Sequence, residues 1–379
     1  MKESVPMRIG YEGFIYQLLP FGGIARYFNE IISRFEQEYH PCILLAEGTE
    51  VPSLHPNQTT QTSEIEFPLP GAFTEKLLGR YWRRSQWSKL DRQFEQMNAD
   101  IHHWTFHCGL CQRPLQRMNA PIVVTVYDLI YEKFPELDKK GKHRRWLKQS
   151  IEIADQLLCI SETTFDDLCN RYPGVEQKTR ITKLGNSFSS VSDTGVPPEL
   201  KDRPYILFVG QRRGYKNFGA IWSAWKQIKS VHPDLLLVAA GPPLSEREAN
   251  SLGINKQEPG FLTLSHVEDS TLKSLYKNAI AFVFPSQMEG FGLPAVEAME
   301  SGCIVLASNC DALREICGGA AYHFDPLDFR HLAELIEMAI KMPKTEHSRL
   351  IQKGKQRASE FTWDSTAAQT MRCYQDLKS

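Results

Sequence analysis

The stretch from Ile280 to Gly302 limits what this chain can fold into more than any other. A β-branched and aromatic run, Ile280 to Phe284, predicts a buried strand. A loop with two glycines follows, Pro285-Ser286-Gln287-Met288-Glu289-Gly290-Phe291-Gly292-Leu293. Pro294 then stands where the first turn of a helix tolerates proline, so residues 295–301 are predicted as helix and Gly302 as its left-handed stop. Gly290 and Gly292 let the backbone approach a ligand, and the first-turn N–H groups add the positive end of the helix dipole. That is a seat for an anionic group. Glu289 in the loop and Glu297 on the helix flank it, one placed for a ligand's reactive end and the other for paired hydroxyls at its far end. A sugar nucleotide has this layout, with a diphosphate between two polyols. The competing reading is a helix start with surface acids.

The interval from Glu289 to Glu297, with Gly-Phe-Gly-Leu-Pro between, resembles the signature of the retaining glycosyltransferases of family four. The resemblance implies an α/β chain of the GT-B fold: two Rossmann-like doubly wound domains facing a cleft, with a C-terminal helix crossing back to the first. It divides the chain into an acceptor-binding domain over residues 1–190, a linker over 191–203, a nucleotide-sugar-binding domain over 204–361 and the crossing helix over 362–379. In that family the first glutamate meets the donor sugar and the second holds the ribose. The likeness spans nearly the whole chain and is specific mainly after Arg203.

Composition narrows the setting. The chain has 379 residues, enough for two domains with separate cores. Its 44 basic and 45 acidic residues nearly cancel, so charge implies no nucleic-acid partner. Nine scattered cysteines, an odd number, suit a reducing compartment better than a disulfide framework. Lys2, Glu3, Arg8 and Glu12 interrupt any signal-peptide core, and no apolar run approaches the roughly twenty residues of a membrane span. A soluble cytoplasmic protein is expected, with the inner membrane face as the place of any lipid contact.

In the first half, Met7 to Tyr11 reads as a strand, and Phe21-Gly22-Gly23-Ile24 opens a helix. The resemblance implies that this glycine loop closes on the donor diphosphate; close packing in a tight turn is the alternative for Gly22 and Gly23. Cys42 to Ala46, Asp100 to Trp104 and Ile122 to Val126 are predicted parallel strands. Their carboxyl ends line a ligand crevice, which places His103, Thr105, Tyr127 and Asp128 near the cleft on the acceptor side. Family members often show His-Asp where this chain has Tyr127-Asp128. A tyrosine, with a reference pKa of about 10, does not replace the histidine in protonation near neutrality. His103 and His107 either fill that space or are satisfied structural histidines, the second reading being favoured for each. Cys108 and Cys111 have metal-ligand spacing, but no second pair follows at the interval a zinc module needs, and no metal is expected. Two basic, aromatic-bearing segments, Lys76–Leu90 and Lys139–Lys148, suit either an anionic membrane surface or plain solvation.

Ser161 is a candidate N-cap for a helix running through Leu168. Ser, Asp, Gly and Pro between Asn186 and Arg203 mark the linker. Tyr205 to Val209 then forms a strand, and the loop Gly210 to Asn217 opens a helix. Cations on such a loop neutralise charge that develops on a departing diphosphate. The resemblance assigns that task to an arginine and a lysine: Lys216 fits, and Arg212 is preferred to Arg213 because Gln211 occupies the usual arginine position. Leu235 to Ala239 and Gly260 to Leu264 continue the strand and helix alternation, and the loop from Ser265 to Asp269 is where relatives bind the base, largely through backbone. Residues 325–328 precede a helix at His331, Lys341 to Phe361 reads as helical, and Ser365 to Leu377 as the final amphipathic helix.

The expected activity is retaining transfer of a hexose, from UDP-glucose or GDP-mannose, to a sugar hydroxyl in envelope or capsular polysaccharide synthesis, with a lipid-linked acceptor the first to try. Arg212, Lys216 and Glu289 form the catalytic set. Gly22, Gly23, Gly290, Phe291, Gly292, Leu293 and Glu297 bind the donor, and no cofactor or divalent ion is required because the cations do that work. Two rivals are an epimerase or phosphorylase on the same architecture and a catalytically silent nucleotide-sugar-binding subunit.

Overall fold

The computed structural model describes residues 5–18, 22–46, 49–63, 92–106, 118–212 and 214–379. The Lys76–Leu90 segment, His107, Cys108, Cys111 and Arg213 lie outside the described residues. The chain divides into two units, one comprising 1–160, 164–183 and 363–379, the other 161–163 and 184–362.

The first unit is built on a parallel sheet of β1 (Met7–Tyr11), β2 (Tyr39–Ala46), β3 (Thr59–Ser63), β4 (Ile101–Trp104), β5 (Ile122–Val126), β6 (Gln156–Cys159) and β7 (Thr179–Ile181). Their spatial order is β3-β2-β1-β4-β5-β6-β7. The Ile-Val-Val-Thr-Val run of β5 is buried at every position, as a strand covered on both faces requires. The order reverses direction between β1 and β4, which opens a crevice beyond the carboxyl ends of those two strands. The terminal helix Trp363–Lys378 belongs to this unit: Thr366 Oγ1 donates to Lys183 O, and Tyr374 is fully enclosed beside Tyr11 and His103.

The second unit carries β8 (Tyr205–Val209), β9 (Leu236–Ala240), β10 (Phe261–Leu264), β11 (Ala281–Phe284), β12 (Val305–Ser308) and β13 (Tyr322–Phe324), again parallel. Their order, β10-β9-β8-β11-β12-β13, reverses between β8 and β11. Ile206, Phe208, Leu237 and Val283 from the strands pack with Phe218, Ile221 and Trp225 of the helix Phe218–Lys229 in one core. Two doubly wound sheets, each with a switch point, give the GT-B pattern.

Two expectations need correction. The segment expected as a linker, 191–203, groups with the second unit and is tied at its start to the helix Asp269–Asn278. Asp193 accepts from Ser274 Oγ at 2.6 Å and Lys277 Nζ at 2.7 Å, and Lys273 Nζ donates to Val191 O. The helix expected from Lys341 begins instead at Lys344 (Lys344–Ala358), because Pro343 has no N–H for a continuous ladder and Lys341 closes the preceding helix Phe329–Lys341. In the second unit, Ser161 Oγ also donates to Gly290 O, and the N–H groups of Glu162 and Thr163 are received by the Glu315 carboxylate. Every cysteine among the described residues is a free thiol, and no described helix is long and apolar enough to cross a membrane.

Candidate active site

In the second unit the loops after β8 and β11 meet at the switch point. The first runs through a tight turn, Gly214–Lys216, to Asn217, whose left-handed backbone (φ +52°) starts the helix Phe218–Lys229. Asn217 Nδ2 donates to Pro285 O at 3.2 Å and Pro326 O at 2.7 Å, and Gln287 N donates to Tyr215 O. These bonds lock the two loops in register. Lys216 Nζ consequently reaches Glu289 Oε1 at 2.7 Å, over the rings of Tyr215 and Phe284. The pair is mostly enclosed, with 20% of the lysine side chain and 10% of the glutamate exposed.

Beyond Glu289 the chain turns through Gly292, whose φ of +109° and proximity to Leu313 exclude a side chain: a Cβ there would lie 2.6 Å from Leu313 Cδ2. Leu293 and Pro294 then begin the helix Leu293–Glu300, with Gly302 left-handed beyond its end. Phe291 packs edge-on against Phe361, so its backbone rather than its ring is offered to a ligand. Glu297 is buried on the helix and receives Tyr276 OH at 3.4 Å. Ser286 in the same turn has a buried Oγ without a hydrogen-bond partner, a donor that no sequence pattern flagged.

Arg212 is placed differently from Lys216. It is 1% exposed, donates to Pro242 O after β9, and stands 3.4 Å from Glu248. Its Nε and Nη1 have no hydrogen-bond partner, so a buried guanidinium retains donor capacity in this unit. The structure therefore joins Lys216 to Glu289 and holds Arg212 against a neighbouring loop. The base loop expected at Ser265 to Asp269 follows β10, with His266 left-handed at φ +55°.

In the first unit, Gly22 precedes and Gly23 begins the helix Gly23–Ile32. Gly22 has an ordinary extended backbone (φ −82°), and a Cβ on Gly23 would meet nothing within 4 Å. Among the described residues, packing does not require glycine at Gly23. His103 is fully enclosed, its Nδ1 2.6 Å from Tyr374 OH and its Nε2 2.8 Å from Thr125 Oγ1; burial pushes its pKa down to about 3. It is the satisfied structural histidine, not a group facing a ligand. Tyr127 OH donates to Thr105 O, and burial raises its pKa well above the ordinary phenol value. Asp128 Oδ1 accepts from Ile130 N.

One acid was missed. Glu12, directly after β1, accepts from Thr105 N at 2.7 Å, Thr105 Oγ1 at 2.7 Å and Phe106 N at 3.1 Å. Burial raises its pKa to about 7 against the pull of those donors. It fastens the ends of β1 and β4 at the first sheet's switch point, and an acid at the carboxyl end of a first strand was the signal available.

Residues 21–186 match the description "Glycosyltransferase Family 4", and residues 194–357 match "Glycosyl transferases group 1". The MMP alpha-(1->4)-mannosyltransferase of Mycolicibacterium hassiacum is 39% identical over 301 residues, covering 70% of this chain and 67% of that one. The chain belongs to glycosyltransferase family four. This family four glycosyltransferase is also similar to the O-antigen chain mannosyltransferase B of Escherichia coli, 26% identical over 271 residues, 67% of this chain and 70% of the relative. It is 35% identical over 249 residues, 65% of its length, to the serotype-specific mannosyltransferase WbdA of Escherichia coli, of which it spans 25%. Among solved structures, a sucrose-phosphate synthase from Thermosynechococcus elongatus superposes with a TM-score of 0.75 at 19% identity, over 98% of this chain and 99% of that one. Anabaena HepE in complex with UDP-glucose gives 0.69 at 14%, over 97% and 98%. At such identities the likeness establishes the GT-B fold alone.

Proposed function

We propose that this glycosyltransferase moves a hexose from a nucleotide diphosphate sugar to a sugar hydroxyl of a growing polysaccharide, with retention at the anomeric carbon. The observation that carries the reading is the Lys216–Glu289 pair at the β8/β11 switch point, one helix away from Glu297. On donor binding, Lys216 and the first-turn amides after Gly292 stabilise the diphosphate, Glu289 holds the sugar and Glu297 the ribose. Arg212 supplies further positive charge through Nη1, which has no hydrogen-bond partner. The acceptor hydroxyl attacks from the face the diphosphate leaves, and the leaving group takes its proton, so no separate base is needed. The mannosyltransferase names of the relatives favour GDP-mannose over UDP-glucose as the donor. These cations replace a divalent ion in this scheme, and a lipid-linked glycan is the acceptor to test first.

The test is a thermal-shift panel of GDP-mannose, UDP-glucose and UDP-N-acetylglucosamine, followed by transfer assays with the donor that binds, since a ligand selective for the native state raises its melting temperature. One donor is expected to raise the midpoint and to release its nucleoside diphosphate only when an acceptor glycan is present. Binding without transfer to any glycan acceptor favours the silent subunit, and isomerisation of the donor alone favours the epimerase.

A further inference from the structure

The first unit contains a cavity of 580 Å³ that the donor reading does not use. Lys140, Arg144, Arg145, Lys148 and Arg171 line it, and Glu132 is the only carboxylate among the described residues of its wall. Local structure explains how the cations converge. Gly141, left-handed at φ +60°, turns the chain into the helix Lys142–Ile153, and the four-residue interval from Arg144 to Lys148 places both on one face with Arg145 adjacent. Arg171 arrives from the end of the helix Glu162–Arg171.

Glu132 offsets one cation of this wall, Arg171. Its Oε2 receives Arg171 Nε at 2.9 Å and its Oε1 receives Tyr172 OH at 2.6 Å, so both oxygens hold the far side of the cavity in place. Arg144 is turned toward Asp138, with its Nε 3.5 Å from Oδ2. Lys148 meets Glu152 at 3.7 Å in an exposed pair that contributes little. Lys140 and Arg145 are exposed and have no acidic partner among the described residues. A concave wall rich in cations suits an anion of more than one charge, and guanidinium forks match phosphate oxygens in pairs.

We propose that this cavity binds a phosphate-bearing group, a phosphomonoester or diphosphate with at least two negative charges. The group is carried either by a lipid headgroup or by a soluble phosphorylated molecule. The cavity draws on no residue of the second unit, so its failure would leave the transferase reading standing.

The test compares the full chain with a Lys140→Gln/Arg145→Gln variant, both substitutions being at exposed positions. Calorimetric titration with inorganic pyrophosphate is expected to show a site in the wild type that is weakened at least tenfold in the variant, with the melting temperature and donor-induced thermal shift unchanged. Sedimentation with phosphatidylglycerol and phosphatidylcholine vesicles separates the sources. Anionic vesicles that carry down the wild type and not the variant assign a lipid-borne phosphate. No vesicle binding, with the pyrophosphate difference intact, assigns a soluble one. Equal pyrophosphate affinity in the two proteins, or none in either, overturns the proposal.

Discussion

Substituting Lys216 by methionine keeps most of the side-chain volume and removes the charge beside Glu289. At 2.7 Å, with an effective dielectric of about 20, the pair's gross attraction is roughly 6 kcal/mol. Desolvation and side-chain ordering offset much of this, leaving about 2 to 3 kcal/mol for an enclosed pair. Lys216→Met is therefore expected to lower unfolding stability by that amount, because the Glu289 carboxylate is left without its cation. Adding Glu289→Gln neutralises both partners and is expected to restore most of the loss. Activity follows a different rule. If Lys216 stabilises the departing diphosphate, its removal costs about 10²- to 10³-fold in kcat, and the double variant stays inactive while its stability recovers. Urea unfolding gives the first quantity, and acceptor-dependent release of nucleoside diphosphate gives the second. Activity that recovers together with stability in the double variant would show that the pair only braces two loops, and would refute this reasoning.

Gly292→Ala should destabilise by about 1 to 3 kcal/mol, measured by chemical denaturation, because a Cβ at φ +109° meets Leu313. Gly23→Ala should leave stability within about 0.5 kcal/mol, since nothing lies near its Cβ, and raise KM for the donor if that space admits the diphosphate. His103 titrates near 3 in the folded chain against about 6.5 unfolded, so between those values the unfolded state binds more protons and stability falls with pH, by about 2 kcal/mol at pH 5 relative to neutrality. His102, pushed down to about 4, adds to this slope, whereas Glu12, pushed up to about 7, opposes it above pH 4.5. The measurement is thus the difference between wild type and His103→Gln in urea at pH 7 and 5, and an unchanged slope in the variant would exclude the histidine. Chelator should leave transfer intact, and loss restored by magnesium would remove the metal-free scheme.

Strands buried on both faces were the legible part of the fold: β1, β5 and β8 begin and end where their apolar runs do. Edge strand β7 is short, Thr179–Ile181, and its half-exposed positions dilute the apolar pattern. The start of the helix Lys344–Ala358, three residues past the expected Lys341, follows from Pro343, which cannot sit inside a helix. What the sequence could not show were pairings between distant segments. The docking of 191–203 depends on Asp193 meeting Ser274, and the orientation of Arg212 depends on Pro242 and Glu248. Glu12 acquires its partners more than ninety positions later, at Thr105. In the candidate site, Gly292, Pro294 and Gly302 were readable because each answers a local backbone demand. That Lys216 and Glu289 touch was not, because Asn217 and Tyr215 set it through bonds to another loop.

The most direct test of the central claim is NMR observation of the first glycosidic linkage formed from a nucleotide α-hexose donor, with donor consumption followed in the same sample. The account predicts that donor is consumed only with acceptor present and that the new linkage is α. A β linkage, or steady consumption of donor with no acceptor, would contradict it.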